Sequence, residues 1–206
     1  MKRVVTKFIT QLIILFSIVS AQLVFSETTE KEPFPKDIIV EDADEKLSLS
    51  MTGTAVRKKF FLKIYSMAHY IERELYSFSN NEEIYSNIMT EPGTKQISMM
   101  FLRSLTAKQI QDSLITGLKL NTTDEEYLQI LPNVEIFIEA INADVKENDQ
   151  FAIRWHSDGR IVSLFQGKKI SSIKDENFAK ALWSIWFGSF SVVNRDLLVK
   201  ELLTSS

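Results

Sequence analysis

The chain has 206 residues, 24 basic against 27 acidic side chains, a formal charge of −3 and no cysteine, so it can bury one core of ordinary size but holds no disulfide or thiolate metal site. The acidic balance argues against nucleic acid as a partner, because binding it needs a basic surface. The two histidines, His69 and His156, stand far apart without metal-ligand spacing, and no metal or redox cofactor is implied.

Residues 1–26 read as a secretory signal. Lys2, Arg3 and Lys7 form a positive start, Leu12 to Val19 an apolar core, and Val24-Phe25-Ser26 or Val19-Ser20-Ala21 a cleavage site. Polar residues interrupt that core, so a cleaved signal is expected rather than a permanent membrane span, and the location expected is periplasmic or secreted. Its removal takes three bases and no acid, which moves the formal charge to −6. Residues 27–46 are acidic, contain Pro33 and Pro35, and read as a leader with a short edge strand at Asp37 to Val40.

Residues 47–206 carry the domain. Leu47, Leu49 and Met51 alternate with Ser48, Ser50 and Thr52, the period of a strand with one covered face. Gly53 interrupts this pattern and marks a bulge or a close backbone approach. Arg57, Lys58 and Lys59 then read as a turn, and Phe60 to Ile71 as a strand covered on both faces. From the pattern alone Arg57 belongs to a solvated turn. If it points inward it requires an anion, because an unpaired buried guanidinium is costly.

Ile84 and Ile88 predict a short helix before the Pro92-Gly93 turn, and Lys95 to Leu105 a buried strand. Thr106 to Gln109 is a capping box opening a helix with Ile110, Leu114 and Leu118 on one stripe and Gly117 beside it, either a close-packing point or a tolerated defect. A second helix starts at Thr122 or Thr123 and keeps an apolar period from Tyr127 to Ile141, with Pro132 predicting a kink or break. Asp149 to His156 and Arg160 to Phe165 form a hairpin around Asp158-Gly159, ended by Gln166-Gly167-Lys168. A helix from about Lys174 to Phe187 stops at Gly188, with Trp183 and Trp186 read as core packing, and Asn194 caps a last helix. This order gives an α+β fold, an antiparallel sheet with helices layered on one face.

Three segments together resemble the chalcone isomerase-like family over roughly Leu47 to Leu203: Gly53-x-x-x-Arg57 before an aromatic strand ending in Tyr70-Ile71; LTAKQI at Leu105 to Ile110; and FAKALWSIWFG at Phe178 to Gly188. The resemblance implies an open-faced sandwich in which Arg57 binds the anionic oxygen of a ligand. It also implies a changed donor set. The family's enzymes surround that arginine with two threonines, a tyrosine and an asparagine, whereas here Tyr65 stands for the first threonine, Ile110 for the tyrosine and Gly117 for the asparagine, with Lys168 nearest to the second threonine. The similarity is therefore to the non-catalytic, fatty-acid-binding branch, with an apolar carboxylate as partner held by Arg57 and by Tyr65 or Tyr70. An intramolecular lyase with Arg57 as its catalytic residue is the alternative, and a structural protein with a filled pocket the third reading.

Overall fold

The computed structural model describes residues 33–42, 45–73 and 81–203. The expected signal segment lies outside these residues, as does the first part of the expected leader. Seven strands form one antiparallel sheet in sequence order: β1 (Asp37–Asp42), β2 (Glu45–Lys59), β3 (Leu62–Ile71), β4 (Lys95–Phe101), β5 (Gln150–Trp155), β6 (Arg160–Phe165) and β7 (Lys168–Lys174). Helix α1 (Asn81–Thr90) links β3 to β4, and α2 (Ala107–Asn121) with α3 (Asp124–Glu139) links β4 to β5. After β7 come α4 (Glu176–Phe187) and the short turns α5 (Arg195–Leu198) and α6 (Lys200–Leu203).

The helices share one core with one face of the sheet. Met67, Ile97, Met99, Phe101, Ile153 and Ile161 project from the strands into it, and α4 supplies its centre with Phe178, Leu182, Trp183, Ile185, Trp186 and Phe187. On the other face a smaller cluster of Phe34, Val40, Leu49, Ala68 and Tyr70 covers the β1 end. The α+β reading and the one-sided helix layer therefore hold.

β2 differs from expectation in a way that matters for the site. The strand does not stop at Gly53 but continues to Lys59, with a register shift between Met51 and Gly53. That bulge inserts one residue and reverses the parity of the strand. Leu47, Leu49 and Met51 face the smaller cluster, whereas Ala55 lies in the main core. Gly53 serves both functions foreseen for it, since a Cβ there would sit 2.1 Å from the Leu197 carbonyl oxygen, where α5 crosses the strand. The turn then falls at Phe60-Phe61 rather than at Arg57-Lys58-Lys59, and both phenylalanines, expected inside a strand, are 89% and 88% exposed.

Four other elements also depart from expectation. Gln166 and Gly167 do not end the hairpin but turn the chain with φ of 49° and 74° into β7, an edge strand whose sequence KKISSIK offers too few apolar residues to announce itself. α4 consequently begins at Glu176, capped by the Asp175 side chain on the Phe178 amide. α3 continues past Pro132, so of the kink or break expected there the break does not occur. Pro132 and Leu128 are exposed there, so the Leu128 carbonyl that loses its bond faces water. β4 ends at Phe101, and Leu105 pairs only in an isolated bridge with Val145.

Candidate functional site

Two residues eight apart in sequence meet here because the hairpin folds between them: Arg57 and Tyr65 are direct cross-strand partners of β2 and β3. Partners in an antiparallel register share a face. After the Gly53 bulge that face is the helix-covered one, so the guanidinium, expected from local pattern to lie in a solvated turn, is instead half-buried under the segment that follows α4. Arg57 Nη1 donates to the Val192 carbonyl at 2.6 Å. No described carboxylate lies within ion-pair distance of it.

Tyr65 is fixed by α4. The Trp186 indole Nε1 donates to the Tyr65 hydroxyl at 3.0 Å, and the Tyr65 ring stands edge-on to Phe101 with centroids 6.2 Å apart. Burial pushes the phenol pKa up, against the opposing effects of the Trp186 bond and the Arg57 charge, so Tyr65 stays protonated. Its own hydroxyl proton meets no acceptor among the described residues, and neither do the remaining guanidinium donors of Arg57. A cation and an unspent phenol proton on one face of one hairpin form an acceptor-seeking pair, the arrangement that suits a carboxylate.

Segment 188–193 meets the Arg57 end of this pair through the Val192 carbonyl. Val192 N donates to the Ile185 carbonyl at 3.0 Å, and Ser191 Oγ lies 2.6 Å from the Trp186 carbonyl oxygen and 2.9 Å from that of Val193. Behind Phe101 is an apolar void of about 50 Å³ lined by Phe101, Ile110, Ile141, Val145, Phe151 and Phe165. A larger cleft of about 640 Å³ opens elsewhere, between the ends of α1 and α2, the start of α3 and α4, and includes neither Arg57 nor Tyr65.

Tyr70 is not part of this arrangement. It projects from the opposite face of β3, where its hydroxyl donates to the Pro35 carbonyl at 2.9 Å and where burial and Asp37 raise its pKa to about 12. Among the positions that depart from the enzymes' donor set, Ile110 packs against the core, and a Cβ at Gly117 would lie 3.0 Å from the Ile185 side chain, so the glycine is a close-packing point between α2 and α4. Lys168 is exposed at the start of the edge strand β7, opposite Phe165. None of the three brings a hydroxyl or an amide side chain to Arg57.

Trp186 and the Val192 carbonyl were not legible as site groups. The available signal was polar residues at Tyr65 and His69, on the buried face of β3, opposite a helix bearing Trp183 and Trp186, because a buried indole N–H usually finds an acceptor. Trp183 Nε1 donates to His69 Nε2 at 3.4 Å, and His69 Nδ1 lies 2.9 Å from Thr52 Oγ1, which donates to the Leu198 carbonyl at 2.5 Å. This geometry assigns the proton to Nδ1 and keeps the ring neutral, and burial with nearby Lys95 holds its pKa well below the usual value. His69 thus ties β3 to α4 and, through Thr52, to the Leu198 carbonyl.

The sequence profile of the family described as chalcone isomerase-like matches residues 27–203, which extends the likeness through β1 and residues read as leader. A fatty-acid binding protein of Arabidopsis thaliana has the same fold, with a TM-score of 0.62 at 12% identity over 82% of this chain and 97% of that one. No curated protein matches the chain. With the motif at Arg57, the seven-stranded meander and a profile match over most of its length, the chain belongs to the chalcone isomerase-like family.

Proposed function

We propose that the protein is an exported, non-catalytic carrier or sensor of an apolar monocarboxylate such as a fatty acid, with Arg57 and Tyr65 as head-group partners. The observation that carries this reading is the cross-strand pairing of Arg57 with Tyr65, both with donors unspent and no described carboxylate within reach. A structural neighbour that is named a fatty-acid binding protein supports the ligand class. The tail would enter beside Phe101 and Ile110. The void there, about 50 Å³, is far below the ~300–1,000 Å³ that enclosed ligands usually occupy, so α2 and the segment 140–145 must part from the sheet to admit a long chain.

Isomerase chemistry lacks support at the same site. Ring closure on a conjugated ketone needs several donors aimed at the developing oxyanion, and beside Arg57 and Tyr65 the positions of Ile110 and Gly117 provide none. Native mass spectrometry of protein purified from the producing cell tests the carrier reading. It predicts a co-purifying lipid acid that Arg57→Ala abolishes. An empty protein that stays empty when incubated with long-chain acids contradicts it and favours a structural role.

A further inference from the structure

The β2–β3 hairpin ends in two adjacent aromatic side chains that the fold does not use. Phe60 and Phe61 are 89% and 88% exposed, and Leu62 beside them is 39% exposed. Phe60 has a φ of 55°, a left-handed conformation that glycine or asparagine adopts readily and a large aromatic residue only under strain. Folding alone therefore disfavours phenylalanine there. Just behind the tip, Lys58 and Lys63 are direct cross-strand partners, an arrangement of like charges that weakens a hairpin. Lys59 completes the ring, and none of the three forms an ion pair with a described carboxylate. No acid occurs in sequence between Glu45 and Glu72, although the whole chain carries −3.

We propose that this tip docks on an anionic lipid surface, with Phe60 and Phe61 entering the boundary between headgroups and acyl chains and Lys58, Lys59 and Lys63 at the level of the phosphates. Charge complementarity selects this occupant. Two neighbouring aromatic rings on a hairpin tip supply interfacial anchoring, and three lysines behind them meet the negative potential that such a surface presents. The inference rests on the hairpin and not on the carboxylate site, so either can fail without the other.

Trp155, Trp183 and Trp186 are buried, so an indole introduced by Phe61→Trp in the full chain reports on the tip itself. With vesicles of equal parts phosphatidylcholine and phosphatidylglycerol, its emission is expected to shift to the blue and to be quenched by brominated acyl chains. Vesicles of phosphatidylcholine alone should leave it unchanged. Lys58→Gln, Lys59→Gln and Lys63→Gln combined should weaken the partition by about a hundredfold. In the chain without the reporter, Phe60→Gly with Phe61→Ser should abolish tip-dependent vesicle binding while keeping or raising the melting temperature, because glycine relieves the positive φ. An exposed, unquenched indole on anionic vesicles overturns the proposal. So does tip burial that proceeds without lipid, through a second copy or another protein.

Discussion

Arg57 and Tyr65 owe their meeting to a single inserted residue. Were β2 regular through Thr52, Arg57 would face the side of the sheet that carries Leu49 and Tyr70, away from α4. The sequence offered Gly53 as the mark of that irregularity but not its consequence, because parity past a bulge depends on which residue is left unpaired. It offered Tyr65 as the partner of Arg57 and left Tyr70 as its competitor for the same reason. Odd and even positions of β3 are both apolar, and only the fold says which set meets the helices. Tyr65→Phe should weaken carboxylate binding about tenfold, by removing one hydrogen bond to a charged group, with no loss of fold, since the ring contact to Phe101 remains. A competition assay against a fluorescent fatty acid checks this, and an unchanged dissociation constant would leave Tyr65 as an ordinary core residue.

At the scale of elements, what could be read was what periodicity or capping encodes. The capping boxes at Thr106–Gln109 and Thr123–Glu126 are both formed, and the Asp158-Gly159 hairpin lies where its turn residues place it. What could not be read was decided by neighbours. β7 is a strand because β6 offers it an open edge, not because KKISSIK alternates strongly. α3 survives Pro132 because Ile130, Val134 and Phe137, on either side of it, are buried in the main core. The proline then remains a local defect, and Pro132→Ala should raise stability by about 1–2 kcal/mol, the restored helix bond less the entropy regained by the unfolded chain. Urea unfolding monitored by circular dichroism measures this; a fall in the midpoint would mean that the proline shapes the α3 packing.

Across the whole molecule, two buried bases tie stability to pH. Lys95 on β4 reaches under α1, where its ammonium donates to the Ile88 carbonyl at 2.7 Å and the Glu91 carbonyl at 2.9 Å and lies 4.2 Å from the centre of a Trp155 ring. It neutralises the C-terminal end of a helix that has no basic residue in its own last turn. Burial lowers its pKa from 10.5 to about 7, and that of His69 also falls. A base with a depressed pKa is protonated more in the unfolded chain than in the folded one, so stability rises with pH over the interval between the two values. For Lys95 that interval is from about pH 7 to about pH 10, and for His69 it lies below the ordinary histidine value of 6.5. Denaturant midpoints should climb through both ranges, and Lys95→Met should flatten the upper one; a profile that falls across it would contradict the buried placement.

Titration calorimetry of a long-chain fatty acid against its methyl ester, which keeps the tail and removes the charge, separates head-group recognition from burial of the tail. With Arg57 holding the head group, the acid should bind about a hundredfold more tightly than the ester, and Arg57→Ala should lower the affinity for the acid to that for the ester. Equal affinities for acid and ester in the unaltered protein would contradict that role of Arg57.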